Sequence, residues 1–177
     1  MSDLAPVLVA GKWQESVAQG EFRAENPATG EALGQAYPVS TRHEALSCLQ
    51  AGAQAAEALR DAADEMIARF LEDYAARVEG AAAELVEIAH AETGLPKAPR
   101  LKDVELPRTT DQLRQAARAA REGSWRHPVR DDARKIHAVH APLGGPVVVY
   151  GPNNFPFAFN SVAGGDFAAA IAAHNPV

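Results

Sequence analysis

The chain has one cysteine, Cys48, in 177 residues. A single thiol excludes an internal disulfide and fits a reducing compartment. An excess of basic charge is also lacking: 17 Lys and Arg stand against 23 Asp and Glu, a net charge of −6 with histidine neutral. A phosphate-binding surface needs a concentrated Lys/Arg face, so this balance argues against a nucleic-acid partner. No hydrophobic run approaches the roughly 18 apolar residues of a membrane span. The opening MSDLAPVLVAG has neither the basic n-region nor the apolar core of a signal peptide. These absences lead to the expectation of a cytoplasmic protein with no membrane and no nucleic-acid partner. What is present is a globular composition, 47% hydrophobic and 23% charged, at a length that allows one domain or a piece of a larger one.

Residues 7–40 read as short strands. VLVAGKWQE forms a strand with a turn, and FRAENPATGEALGQAYPV forms two more, broken at Asn26-Pro27-Ala28-Thr29-Gly30, where Asn26 can bond its own backbone. Residues 41–122 read as helices. Thr41 and Glu44 have the spacing of a capping box, and the first helix runs to Arg60. Asp61 or Asp64 is expected to cap the second, whose stripe is Met66, Ile67, Phe70, Leu71, Tyr74 and Val78, ending near Gly80. A third spans about 81–92 with Leu85, Val86 and Ile88 inward, stopped by Thr93-Gly94-Leu95-Pro96. A fourth runs from about Arg100 to Arg121, with Leu106, Leu113, Ala117 and Ala120 on one face. Pro107 should kink it, Gly123 should end it, and its mixed charges read as a solvated face.

The pattern then changes. Arg134 to His140 alternates like a strand with one wet face. Val147-Val148-Val149-Tyr150 suits a strand buried on both faces of a parallel sheet. A helix is expected over Phe157–Ala173, then a turn at Asn175-Pro176-Val177 into a second parallel strand. A parallel strand needs paired neighbours, so the chain reads as the front portion of a larger α/β protein.

The segment after that strand is GPNNFPF, Gly151 to Phe157. In open α/β sheets, ligands lie beyond the carboxyl ends of strands. Gly151 would let a ligand approach the backbone, while Pro152 and Pro156 restrict the loop. An asparagine held there can aim its NH₂ at a developing oxyanion. The competing reading is that Asn153 or Asn154 caps the following helix.

The run PLGGPVVVYGPNNFPFAFNSVAGGDFAAAIAAHNPV resembles the start of the cofactor-binding domain of the aldehyde dehydrogenase superfamily. Gly11-Lys12-Trp13, Asn26-Pro-Ala-Thr-Gly-Glu31 and Glu92-Thr-Gly-Leu-Pro96 match in order, so the resemblance covers essentially the whole chain. It implies an α/β fold of small β-hairpins, a helical layer and the start of a Rossmann-like parallel sheet, apparently truncated. Residues 1–126 would be the strands and helices of the cofactor-binding domain, 127–141 the start of an oligomerisation arm, and 142–177 the first strand and helix of the sheet.

The same resemblance implies NAD- or NADP-dependent oxidation of an aldehyde to a carboxylate through a cysteine thiohemiacetal. Asn154 would be the oxyanion donor. Tyr150, Gly151, Pro152 and Asn153 would line the nicotinamide cleft, and Phe155 would face the aldehyde entrance. The nucleophilic cysteine, general-base glutamate and ribose-binding lysine of the family would lie beyond residue 177. The runs LPRTTDQLRQAARAAREGSW and SVAGGDFAAAIAA resemble the branch of 2-oxoglutarate semialdehyde (2,5-dioxopentanoate) and NADP-dependent fatty aldehyde dehydrogenases. A homo-oligomer, dimer or tetramer, is implied for the complete enzyme.

Three departures and three bland alternatives stand beside this. Pro107 falls inside a helix, Gly144-Gly145 is one glycine longer than the family's PLGPV, and His174 replaces a helix-ending glycine, leaving Asn175 to take the left-handed position. Cys48 reads as a small core residue rather than a nucleophile. His137 and His140 would point to opposite strand faces, so no metal site is expected. Arg130, Arg134 and Lys135 are either arm contacts or ordinary surface charge. The functional alternative is a non-catalytic fragment that only associates, through the strand at Ile136 to His140.

Overall fold

A computed structural model of the chain describes residues 4–152 and 154–177. Residues 7–38 form two hairpins. β1 (Val7–Val9) pairs with β2 (Lys12–Gln14), and β3 (Glu21–Glu25) with β4 (Ala32–Pro38), all antiparallel. The turn between β3 and β4 closes as its sequence requires, with the Ala28 N–H donating to Asn26 Oδ1 at 2.9 Å.

α1 (Arg42–Arg60) starts on the expected capping box. Glu44 N–H donates to Thr41 Oγ1 at 3.3 Å, and Thr41 N–H donates to Glu44 Oε2 at 2.9 Å. Glu44 also accepts the Val17 N–H at 2.8 Å, tying the strands to the helix start. α1 buries only Ala56. Cys48 is exposed on it, which overturns the core reading of that thiol.

α2 (Asp64–Gly80) and α4 (Leu106–Glu122) carry the main core. Ile67, Ala68, Leu71 and Ala75 meet Leu113, Ala117 and Ala120, with Ala168 and Ala172 of α5 (Gly165–Ala172) closing the cluster. The alanines move the buried stripe of α2 around its axis. Met66 and Phe70, expected inside, are 56% and 48% exposed because α4 approaches over Ala68 and Ala75 instead. On the rim, Arg121 bridges Glu65 and Glu72, and Arg114 holds Glu79 with two bonds of 2.6 and 2.7 Å. Neither Asp61 nor Asp64 caps α2. Its N-cap is Ala63, with no side-chain bond.

α3 (Ala82–Thr93) ends at Gly94, whose φ of +69° is the left-handed position glycine accepts without strain. Val86 and Ala89 are its buried residues, while Ile88 stays exposed. After the extended Ala98 (φ −129°, ψ 143°), a wide helical stretch ending at Glu105 leads straight into α4. Glu105 and Leu106 both have helical backbone, so Pro107 lies within one continuous helical run. It stands at the point where the wide stretch passes into the regular α4, an interruption of the hydrogen-bond pattern of the kind expected at a proline. Leu106, Leu113, Ala117 and Ala120 are buried on one face as expected, and Gly123 (φ +62°) ends the helix.

After a short turn at Ser124–Arg126, β5 (Val129–Asp131) and β6 (Ile136–Ala138) form a third antiparallel hairpin. Among the described residues there are three such hairpins and no parallel sheet. The expected strand at Val147–Tyr150 has no strand pairing. Its one rung toward the end of the chain is the Val147 N–H on Pro176 C=O, at 2.8 Å. Val148 is 57% exposed and Tyr150 89%, so this segment is not buried on both faces. A parallel strand is buried on both faces only where helices cover both sides of a paired sheet. Here no strand among the described residues pairs with the segment, and a groove lies between it and α1.

Candidate functional site

The expected helix over Phe157–Ala173 forms only from Gly165. Residues 154–163 are a succession of turns. Asn160 organises them. Its Oδ1 accepts the Val162 N–H at 2.8 Å, and its C=O accepts the Gly164 N–H at 2.8 Å. A Cβ on Gly164 would lie 2.6 Å from that same carbonyl, so only glycine fits this turn. Tyr74 of α2 donates its OH to Val162 C=O at 2.9 Å and holds the turns against the helical layer.

The N-cap of α5 is Gly164. Asn154 sits ten residues earlier, exposed on a turn, and caps no helix, which removes the capping reading for that residue. Asn153 lies outside the described residues, so neither its cleft-lining role nor its capping role can be placed. Tyr150, Gly151 and Pro152 are exposed at the end of the Val147–Tyr150 segment, next to Asn154 in the chain. Gly151 has a reason inside the protein: an added Cβ would come within 3.0 Å of the Ser161 N and 3.4 Å of the Asn160 Cα. The turns pack against it, which the expectation of a ligand approaching there did not include.

Phe155 is half-buried. Its ring meets Phe159 edge-on at 5.1 Å and carries the Arg100 guanidinium at 4.6 Å from its centroid. Arg100 Nη2 donates to the Asn154 C=O at 3.0 Å, and Nη1 pairs with Glu105. Glu105 is 1% exposed. Its Oε1 accepts the N–H of Phe157 at 2.9 Å and of Ala158 at 3.0 Å. A buried carboxylate persists only when paired and hydrogen-bonded, and both of its oxygens are. These two residues depart from the reading of Arg100–Glu122 as a solvated face, which holds for the exposed Lys102, Asp103, Arg108, Asp111, Arg118 and Arg121. Sequence reading missed them because a buried Glu and an exposed one look alike in a charged helix. No local signal set Glu105 apart, because its backbone is helical (φ −78°, ψ −44°) like that of its exposed neighbours.

The other end of α5 is fixed by His174. It takes the left-handed position (φ +61°) expected for Asn175. The His174 N–H bonds Ile171 C=O and the Asn175 N–H bonds Ala170 C=O, both at 2.9 Å, which is a Schellman closure. The imidazole meets the cost of that backbone. Nδ1 lies 2.8 Å from Leu59 C=O and Nε2 2.9 Å from Asp64 Oδ1, where Arg126 also bonds at 2.7 Å. Asp64, expected as a cap, is this anchor instead. Asn175 Oδ1 accepts the Leu143 N–H at 2.6 Å and draws the Leu143–Val147 segment to the end of α5.

Around the β5–β6 hairpin, His137 and His140 are exposed, and Arg130 and Arg134 are engaged locally with Asp132 and Asp131. Between α1 and Val147–Val149 runs an apolar groove of about 610 Å³, into which Cys48 and Phe167 also face. No helix among the described residues is long and apolar enough to cross a membrane.

Residues 13–177 match the model of the aldehyde dehydrogenase family. The chain is 38% identical, over 167 residues, to alpha-ketoglutaric semialdehyde dehydrogenase 2 of Azospirillum brasilense, an alignment covering 89% of this chain and 31% of that protein. Its fold is similar to PnpE in complex with nicotinamide adenine dinucleotide (TM-score 0.82, 22% identity, 97% of this chain and 34% of that one). It is also similar to the NADP-dependent glyceraldehyde-3-phosphate dehydrogenase of Bacillus halodurans C-125 complexed with NADP (TM-score 0.79, 24% identity, 97% of this chain and 36% of that one). The chain thus spans about a third of the length of the relatives it matches. With the hairpins, helical layer and clamped Asn-Phe-Pro turn described above, it has the fold of the N-terminal portion of these enzymes, and it belongs to the aldehyde dehydrogenase family.

Proposed function

We propose that this chain is the N-terminal portion of an enzyme that oxidises an aldehyde to a carboxylate with NAD⁺ or NADP⁺, and that Asn154 is its oxyanion donor. The observation that carries the reading is that Asn154 caps no helix, while its backbone is held by Arg100 and the turn after it by Glu105. A thiolate adding to the carbonyl carbon moves an electron pair onto oxygen. An amide N–H fixed beforehand stabilises that charge without reorganising. Cys48, exposed on α1, is not the nucleophile in this reading. The family supplies that cysteine, and the glutamate that activates water against the thioester, from its downstream part.

The residues fit a nicotinamide cofactor at one end. Tyr150, Gly151 and Pro152 are exposed and close to Asn154 in sequence. In this reading they line the nicotinamide side of the cleft with Asn153, with Phe155 facing the aldehyde entrance. The cofactor supplies the hydride acceptor when bound. The named relative from Azospirillum favours a 2-oxoglutarate semialdehyde, 2,5-dioxopentanoate, as the aldehyde. A cytoplasmic setting suits the lone, exposed Cys48.

The test is aldehyde-dependent formation of reduced nicotinamide by the complete enzyme, comparing 2,5-dioxopentanoate with straight-chain aldehydes and NAD⁺ with NADP⁺. Selective turnover of the dioxo acid supports the substrate. Turnover of no aldehyde overturns the activity.

A second reading, for association, rests on the β5–β6 hairpin. Val129, Ile136 and Val139 are 58%, 51% and 61% exposed there, an apolar set suited to contact between copies in a homo-oligomer. A dimer or tetramer by sedimentation that dissociates in Ile136→Asp supports it. An unchanged assembly overturns it.

A further inference from the structure

We infer that Glu105 and Arg100 are positioning residues that set where the Asn154 side chain points. The inference rests on the oxyanion reading of Asn154 given above. The geometry is a relay with no loose member. Glu105 Oε1 takes the N–H groups of Phe157 and Ala158, and its other oxygen pairs with Arg100. Arg100 in turn donates to Asn154 C=O at 3.0 Å and stacks on Phe155 at 4.6 Å. The loop is thus gripped at the Asn154 carbonyl and again three and four residues later. Fixing the carbonyl fixes the plane of the Asn154–Phe155 peptide. The side chain then has only its own rotamers to choose among, and backbone angles limit those.

Such a grip matters for an oxyanion donor more than for a binding residue. The donor must already be aimed at the place where charge develops, and a misplacement of about 1 Å costs about 10²-fold in rate. The Pro152 and Pro156 rings stiffen the loop without setting its orientation against the rest of the fold. The Lys97–Glu105 turn supplies that reference, because Leu101 and Glu105 are buried within it and it continues into α4. Burial explains why the acceptor is a carboxylate. It takes two backbone N–H groups and a guanidinium together, which a single amide or hydroxyl cannot do. A bare structural role would be met by satisfying Phe157 and Ala158 alone. The extension of Arg100 to the Asn154 carbonyl goes beyond it.

The test is a double-mutant cycle in the complete enzyme, with E105Q and R100K each combined with N154A. E105Q keeps the size and one acceptor. R100K keeps the charge on a partly exposed side chain and loses the fork that reaches two partners. Each single variant is expected to lower kcat by about ten- to a hundredfold with cofactor affinity retained, and to add little to N154A, since the aim of a missing amide is immaterial. Amide exchange over residues 154–158 should quicken in E105Q while α4 stays protected. Unchanged kcat in both variants, or losses that multiply fully with N154A, overturn the positioning role and leave the oxyanion reading standing. Full activity in N154A alone overturns the oxyanion reading and this inference with it.

Discussion

Glu105 and Phe157 are joined across 52 residues by a backbone N–H donated to a buried carboxylate at 2.9 Å. The bond links the turn before α4 to the loop that carries Asn154. Truncating Glu105 to alanine leaves two N–H groups and the Arg100 guanidinium without their acceptor. Removing one partner of such a buried set costs about 3 kcal/mol. Urea unfolding should show that loss for Glu105→Ala and a smaller one for Glu105→Gln, which keeps an acceptor. Equal stability of Glu105→Ala and the parent chain would mean that the clamp does not hold the loop.

The core between α2 and α4 is narrow and built on two leucines. Leu71 and Leu113 are each 0% exposed, facing alanines. Leu71→Ala and Leu113→Ala should each cost about 2–5 kcal/mol, because the flanking helices are already close and cannot collapse further. Met66→Ala should cost less than about 1 kcal/mol, since Met66 is 56% exposed. Denaturant midpoints of the three variants check the order. A Met66 effect as large as that of Leu71 would return Met66 to the core.

The Thr41–Glu44 box predicts both a cap effect and a pH effect. Thr41→Ala should lower stability by about 1 kcal/mol. The Thr41 N–H, with help from Val17 and Ser16, holds the Glu44 carboxyl below its usual range. Arg121 does the same to Glu65 and Glu72, and Arg114 to Glu79. A carboxyl depressed in the folded state contributes stability that is present above its unfolded value. That contribution is lost as pH falls through the folded one. The window therefore opens near the unfolded glutamate value of about pH 4.3 and extends below it. Thermal melts taken downward from about pH 5 should fall in that window, and Arg121→Gln should flatten the fall. A flat profile in the parent chain would contradict the ties on the α2–α4 rim.

Much of this was legible in the sequence, and the misses share a cause. The Asn26 turn, the Thr41 cap and the glycine stops at 94 and 123 are local devices, and each formed as its residues dictate. The stripe of α4 was legible because Leu106 and Leu113 lie two helical turns apart, with Ala117 and Ala120 continuing the same face. The stripe of α2 was misjudged by size, because its buried face runs through Ala68 and Ala75. Asp64, His174, Glu105 and Arg100 act over long separations, with Asp64 and His174 110 positions apart. No local pattern distinguishes such groups from surface charge. Val147–Tyr150 has the composition of a buried strand, but composition does not supply its neighbours. The Asn-Phe-Pro stretch was legible as a candidate site through its place after Val147–Tyr150 and its family resemblance. Its support from Arg100 and Glu105 became visible only with the fold.

The most direct measurement is the turnover of Asn154→Ala in the complete enzyme, taken with its cofactor affinity. A lost oxyanion donor should lower kcat by about 10²–10³, with the dissociation constant for NAD⁺ or NADP⁺ nearly unchanged. An unchanged kcat, or a loss confined to cofactor binding, would contradict the assignment of Asn154 as the donor.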